Sequence, residues 1–136
     1  KGVIPVLAAR AYGAKYGLEP AILAAVILLA FTGHLYPVFH GFRGGKGVAT
    51  AFGVLVALNA WVGLALVATW LVIAVLFRYS SAAAVAAAVT APLYVWWLVG
   101  GTPFVAVTLV MTLLLLWRHR SNVRNLLAGT EGKIGQ

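Results

Sequence analysis

Gly33-His34-Leu35-Tyr36-Pro37-Val38-Phe39-His40-Gly41-Phe42-Arg43-Gly44-Gly45-Lys46-Gly47-Val48-Ala49-Thr50 divides this chain and sets how the remainder is read. A hydrophobic run stops at Pro37. Two cations, Arg43 and Lys46, and four glycines, Gly41, Gly44, Gly45 and Gly47, follow, and a second apolar run starts on the last glycine. The pattern predicts two helices joined by a glycine-rich loop, with Lys46 at the N-terminus of the second. Backbone N–H groups and the helix dipole point outward at such a junction, so it suits an anion of phosphate size.

What surrounds the loop is almost entirely apolar. Of the 136 residues, 63% are hydrophobic and 9% charged, and the mean hydropathy is +1.01. A soluble domain of this size cannot hide so much apolar surface, so the chain reads as an integral membrane protein. Ten Lys and Arg stand against two acids, Glu19 and Glu131. The excess cannot be paired internally and meets phosphates instead, either lipid headgroups or a phosphorylated substrate. With no cysteine there is no disulfide, thiol nucleophile or cysteine metal site. The chain runs from Lys1-Gly2 straight into an apolar segment without a signal-peptide pattern. That segment reads as the back half of a spanning helix, and the chain as N-terminally truncated.

The expected fold is all-α: a polytopic transmembrane helix bundle of about six hydrophobic helices, forming a single domain over residues 1–136. Residues 2–14 form the first helix. Gly13, Gly17 and Glu19-Pro20 mark a loop, and Pro20 opens the second helix, which ends at Tyr36. Residues 47–58 form a short third helix, about 18 Å long at ~1.5 Å per residue, against a bilayer core of ~30 Å. Its Ala49, Gly53 and Ala57 lie four apart, which lets a neighbouring helix approach closely. Residues 60–77 are a full span closed by Arg78. Ser80 and Ser81 are placed to cap an alanine-rich helix over 81–98, interrupted at Pro92. Gly100-Gly101-Thr102-Pro103 stops that helix and restarts a last span over 103–117. Residues 118–136 are a polar C-terminal tail.

Alternation of faces brings the loop at 37–46, the turn at 78–81 and the tail to one side. They carry Arg43, Lys46, Arg78, Arg118, Arg120, Arg124 and Lys133, whereas the other side has Arg10, Lys15 and Glu19. The positive-inside rule makes the first side cytoplasmic. Trp61, Trp96 and Trp97 fit an outer aromatic belt, and Tyr36, Phe39, Tyr79 and Trp117 an inner one.

The cytoplasmic side has one carboxylate, no Asp and no Cys. A Ser-His-Asp triad and a paired-carboxylate site are therefore excluded. His34, His40 and His119 with a single Glu are too scattered for a metal. The loop is not a Walker A motif, because Gly47 stands where Ser or Thr follows the lysine. A tight turn obeying the sidedness rule also accounts for Arg43 and Lys46, as membrane anchoring does for Arg118 to Arg124; a turn, however, needs fewer glycines. Cations, backbone N–H groups, an Asn and histidines remain, a set that binds phosphate and stabilises developing negative charge.

These residues resemble a known family. Gly33 to Thr50 looks like the second signature of the bacterial acyl-phosphate:glycerol-3-phosphate acyltransferases, Gly-His-x-x-Pro-x-Phe-x-x-Phe-x-Gly-Gly-Lys-Gly-Val-Ala-Thr, with every fixed position filled. Residues 119–131 are similar to the third, His-Arg-x-Asn-Ile-x-Arg-Leu-x-x-Gly-x-Glu. His119, Arg120, Asn122, Leu126, Gly129 and Glu131 match it, Val123 replaces Ile, and Asn125 stands where Arg is usual, with Arg124 one place earlier. The first signature, a Gly-Ser-Gly-Asn-x-Gly-Ala-Thr-Asn loop carrying a serine and an arginine the family uses, is absent. Members have about seven spans, and this chain would start midway through the second. By itself it is not expected to be a competent enzyme.

The resemblance implies transfer of a fatty acyl group from acyl phosphate to the 1-hydroxyl of glycerol 3-phosphate, giving lysophosphatidic acid and phosphate for phospholipid synthesis. It implies a multi-pass protein of the bacterial cytoplasmic membrane with its site facing the cytoplasm. Gly41, Gly44, Gly45, Lys46 and Gly47 would bind the glycerol phosphate, with Arg43 and Arg120 as further substrate-binding cations. His119 and Asn122 would line the catalytic site, and His34, Gly129 and Glu131 would support it, Glu131 by pairing with an arginine. Acyl phosphate is already activated, so the protein need only hold two anions together, offset their repulsion and align the hydroxyl. Either His119 or a substrate phosphate oxygen accepts the hydroxyl proton. The small-residue helices are expected to leave a groove for the acyl chain. Beyond glycerol 3-phosphate, acyl phosphate and membrane lipids, no cofactor, metal, nucleic acid or protein partner is expected. The competing reading is a transporter or channel subunit for phosphorylated solutes, which predicts ionisable or broken-helix features at mid-membrane. Here the cations gather at helix ends. A structural membrane subunit accounts for the charge but not for four glycines beside Lys46.

The helix count has a direct check. Ser80→Cys and Gly101→Cys should react with a membrane-impermeant maleimide from opposite faces, and labelling from one face would break the count.

Overall fold

An apolar chain in lipid can satisfy its peptide groups within helices, and this one does. The computed structural model describes residues 1–42 and 44–135, and the backbone only of His40. In chain order come α1 (Val3–Tyr16), α2 (Pro20–Leu35), a 3-10 turn (Val38–His40), α3 (Val48–Leu58), α4 (Ala60–Phe77), α5 (Ser80–Leu98), α6 (Thr102–Arg118) and α7 (Arg120–Leu127). The first six α-helices stand where the hydrophobic runs place them. α4 and α5 are each long and apolar enough to cross a membrane, and α6 makes a third when joined to α7, from which it bends by 60°. α2 and α3 are shorter apolar helices. The tail, expected only to be polar, begins with α7. Eight residues are too few to stand as a helix alone, although Val123, Leu126 and Leu127 fall at helical spacing; α7 is held by α5 and α6.

Polarity cannot choose the inner face of a helix that is apolar all round, so size does. α5 buries Ala83, Ala84, Ala87, Ala88 and Ala91 and packs against α4 and α6. Trp61, Leu64, Val75, Trp96, Trp97 and Leu113 stay outside, where lipid is their solvent. On α3, Gly53 receives the start of α1: a Cβ there would lie 3.8 Å from Gly2 Cα. Arg10 of α1 closes the far end, Nη1 donating to Ala57 O at 2.6 Å, where the C-terminus of α3 favours a cation. This gives a packing reason for a cation on the otherwise charge-poor side. Ala49, the third small residue of that spacing, is exposed and opens onto the cleft described below. Asn59 turns α3 into α4, its Oδ1 accepting from Trp61 N at 2.8 Å and Val62 N at 3.3 Å.

Pro92 does not interrupt α5 as the sequence suggests. It lacks the N–H that Ala88 O, four residues earlier, would accept from. Thr112 Oγ1 of α6 donates to that oxygen instead, at 2.8 Å in a buried setting, and the helix continues. Neither Ser80 nor Ser81 caps α5, either. Tyr79 is the N-cap with no side-chain cap bond, and the Ser81 hydroxyl is used elsewhere. The alanines of α5 border two spaces: a narrow apolar seam of about 30 Å³ between α3, α4, α5 and α6, with room for about one water, and, at Ala84, the cleft described below.

Thr112→Val keeps the shape of the side chain but leaves Ala88 O unpaired. It should lower stability by about 1 kcal/mol, read by thermal unfolding in detergent. In a Pro92→Ala background, where the backbone supplies its own donor, the cost should vanish.

Candidate active site

The loop after α2 is shaped by close approach. Gly44 lies flat on the end of α2, where a Cβ would collide with the carbonyls of His34 and Leu35. Gly47 is the N-cap of α3 at φ +85, and a Cβ there would sit 2.8 Å from Phe31 Cε2. Between them the peptide carbonyls of Gly44 and Gly45 face Arg118 at the end of α6. Its guanidinium donates through Nη2 to both and through Nε to Gly45 O at 3.3 Å. Arg118 also lies 6.0 Å from the centre of the Tyr36 ring. The loop is thereby fastened to α6, and the first turn of α3, whose N–H groups have no partner within the helix, opens at the same end of the bundle.

That end holds a cleft of about 620 Å³, lined by Lys46, Val48 and Ala49 from the loop and α3, Ser80 and Ser81 from α5, and His119, Asn122 and Glu131 from the C-terminal part. Phe52, Trp70 and Ala84 give it an apolar wall. Its volume is in the range of small-molecule sites, roughly 300–1,000 Å³. His119 stands at the bend between α6 and α7, only 2% exposed, with Nδ1 2.9 Å from Leu115 O. A carbonyl only accepts, so Nδ1 carries the proton and the neutral ring keeps Nε2 as an acceptor. Burial holds the imidazole below its usual pKa, opposed by the Leu115 carbonyl and reinforced by the charge of Lys46.

Four cleft side chains form one hydrogen-bonded chain. Lys46 Nζ donates to Asn122 Oδ1 at 2.7 Å, Asn122 Nδ2 donates to Glu131 Oε1 at 2.7 Å, and Ser81 Oγ donates to the same oxygen at 2.6 Å. Ser81, then Asn122, then Asn125 and the charge of Lys46 hold the Glu131 carboxyl below its ordinary range, against a partial cost of burial. The arginine expected beside Glu131 is replaced by neutral donors.

Of the residues singled out in the sequence, Lys46, His119, Asn122 and Glu131 thus share the cleft. Gly44, Gly45 and Arg120 do not line it. With Lys46, Arg118, Ser121 and Arg124 they border an adjoining basic basin of about 640 Å³, and Lys46 stands between the two. Arg120 covers the Trp117 ring at 4.6 Å and donates to Trp117 O. Gly47 is buried behind the cleft, and His34 lies beyond the loop, its Nε2 3.1 Å from where a Gly45 Cβ would stand. Gly41 and Gly129 are exposed turn residues away from the cleft, at φ +58 and +71. Arg43 lies outside the described residues. Sequence reasoning missed Arg118 and Ser81, because sidedness and helix capping had already explained them. The usual arginine position of the third signature, here Asn125, helps keep the Glu131 carboxyl ionised, while Arg124 lines the basin with Arg120 one helical turn away.

A family model described as glycerol-3-phosphate acyltransferase matches residues 1–129. The chain is 54% identical over 135 residues to the glycerol-3-phosphate acyltransferase of Thioalkalivibrio sulfidiphilus, covering 99% of this chain and 64% of that one. It is 53% identical over 136 residues to that of Ralstonia nicotianae, covering 100% and 66%. It is also similar to two crystal structures of PlsY (YgiH), an integral membrane glycerol 3-phosphate acyltransferase, in a glycerol 3-phosphate form and a lysophosphatidic acid form. Each has a TM-score of 0.90 at 37% identity, over 98% of this chain and 66% or 67% of the other. The chain spans just under two thirds of the length of those two relatives.

Gly44→Ala should lift the loop from α2 and loosen Arg118. A loss of about 2 kcal/mol or more in stability is expected from such overpacking against backbone, measured by thermal unfolding in detergent. An unchanged midpoint would mean that the loop is not clamped there.

Proposed function

The chain belongs to the glycerol-3-phosphate acyltransferase family, and we propose that the whole protein moves a fatty acyl group from acyl phosphate to the 1-hydroxyl of glycerol 3-phosphate at the cytoplasmic face of the bacterial inner membrane. The observation that carries this reading is the convergence of Lys46, His119 and Asn122 on one open cleft at the first turn of α3. Two phosphates must be brought together there; the first turn of α3 and Lys46 supply positive potential, which Glu131 offsets in part and the arginines of the adjoining basin reinforce. The concentration of Lys46, Arg78, Arg118, Arg120 and Arg124 toward this side supports the cytoplasmic orientation.

In the proposed reaction the glycerol oxygen attacks the acyl carbonyl carbon, and the carbonyl becomes an oxyanion. The bond from carbon to the phosphate oxygen then breaks, and inorganic phosphate leaves with the electron pair. Lys46 offsets the charge of the phosphates and of the oxyanion. His119 suits the hydroxyl proton: its depressed pKa keeps it neutral at pH 7, and Nδ1–H to Leu115 O commits Nε2 to accepting. The wall of Val48, Phe52, Trp70 and Ala84 offers the acyl carbons an apolar surface at the cleft edge.

The complete protein, in detergent or bilayer, should release phosphate from acyl phosphate only when glycerol 3-phosphate is present. Lys46→Ala should lower turnover by about a hundredfold or more, as loss of one charge-stabilising donor does, and Gly45→Ala should lower it too. Near-normal turnover in both variants would sink the assigned site.

A further inference from the structure

The proposed reaction leaves Ser81 without a task, although it lines the cleft from the first turn of α5. Its hydroxyl and the Asn122 amide converge on a single oxygen, Glu131 Oε1, at 2.6 and 2.7 Å. The other end of that amide accepts from Lys46 Nζ. An ammonium only donates and an ionised carboxylate only accepts, so the amide fits this chain in one orientation alone. We propose that Ser81 is a positioning residue: it pins Glu131 from α5, and the pinned carboxylate holds Asn122 with its oxygen toward Lys46. The role so assigned rests on the acyltransferase reading of the cleft.

The tail is built to deliver Glu131 to this place. Ile134 N donates to Arg78 O at 2.6 Å, Arg78 Nη2 donates to Ile134 O at 2.9 Å, and Lys133 Nζ lies 5.8 Å from the centre of the Tyr79 ring. The tail therefore straps across the α4–α5 turn and sets Glu131 at the N-terminal end of α5, where the helix dipole favours an anion. Without the Ser81 hydroxyl the carboxylate keeps one fewer donor and can rotate. The Asn122 amide then loses its fixed acceptor, and a flipped amide would turn its NH₂ on the ammonium of Lys46.

Among the described residues, the charged and titratable groups facing Glu131 are Lys46 from the loop and His119 from the α6–α7 bend, with Asn125 as a further neutral influence. Ser81 is the largest influence keeping the carboxyl ionised. The network is intact above the folded pKa of Glu131 and fails as pH falls through it. Removing the hydroxyl raises that pKa, so the failure moves to higher pH.

The test uses the complete protein in detergent micelles. Steady-state kinetics are combined with proton–nitrogen NMR of the Asn122 side-chain amide, identified by its loss in Asn122→Ala. Ser81→Ala should lower kcat about tenfold, as loss of a supporting partner does, with KM for glycerol 3-phosphate changed by less than about threefold. The acid limb of kcat and the pH midpoint of the Asn122 amide should both move upward. Ser81→Thr, which keeps the hydroxyl, should restore all of these, and Ser81→Cys, a weaker donor, should fall between and carry the test if the alanine variant does not fold. In an Asn122→Ala background the Ser81→Ala change should cost nothing further in kcat, because its effect passes through that amide. An equal loss in both backgrounds, or an amide midpoint unmoved in Ser81→Ala and Ser81→Cys, overturns the proposal. A complete protein inert toward acyl phosphate overturns the acyltransferase reading instead, and the amide midpoint then still decides the role of Ser81.

Discussion

Peptide carbonyls that lose a helical partner at a proline, a helix end or a loop need another donor, and in this chain several take one from a side chain. Thr112 serves Ala88 O beneath Pro92, Arg10 serves Ala57 O at the end of α3, and Arg118 serves Gly44 and Gly45 in the loop. At the bend after α6, the His119 ring adds a second donor to Leu115 O, which already accepts from the His119 backbone N–H, and Arg120 donates to Trp117 O. These contacts are few, but they join elements that lipid-facing hydrophobicity cannot orient. A helix that is greasy on all sides has no preferred rotation until a small residue or a hydrogen bond supplies one.

The site follows from the last two of these groups. Arg118 ties the glycine loop to α6, and the next residue, His119, ends that helix by turning its ring onto Leu115 O. The 60° bend there lays α7 across the end of the bundle and brings Asn122 to Lys46, 76 residues away in sequence. Glycine is required at 44 and 47 because the loop approaches α2 closely from two directions, at the backbone of residues 34 and 35 and at the ring of Phe31. The loop's glycines thus serve packing as well as access to an anion.

Electrostatically, ionised Glu131 offsets Lys46 within the cleft, and the surplus of positive charge lies in the adjoining basin of Arg118, Arg120 and Arg124. Had Glu131 paired with one of these arginines, a cation would have been withdrawn from the basin. Ser81 and Asn122 instead keep the carboxyl ionised and in place while leaving the arginines to the loop carbonyls, the Trp117 ring and the basin. Lys46, between cleft and basin, is the point at which two anions would meet.

Much of this was legible in the residues themselves. Uniform apolarity, punctuated by Pro20, Pro37, Asn59 and Gly100-Gly101, dictates six apolar helices with their breaks, because the cost of unpaired peptide groups in lipid allows little else. The signatures around Lys46 and His119 likewise identify the family without coordinates. Tertiary structure alone decided the rest. Whether Pro92 breaks α5 depends on Thr112, a residue of another helix; whether Ser81 caps a helix or holds Glu131 depends on where the tail returns; and α7 is too short to stand without α5 and α6 beside it. Hydrophobic pattern reports which segments enter lipid, but in helices with no polar face it carries no record of which side meets which neighbour. That choice is made by the shapes of Gly, Ala and Thr and by single hydrogen bonds across the bundle.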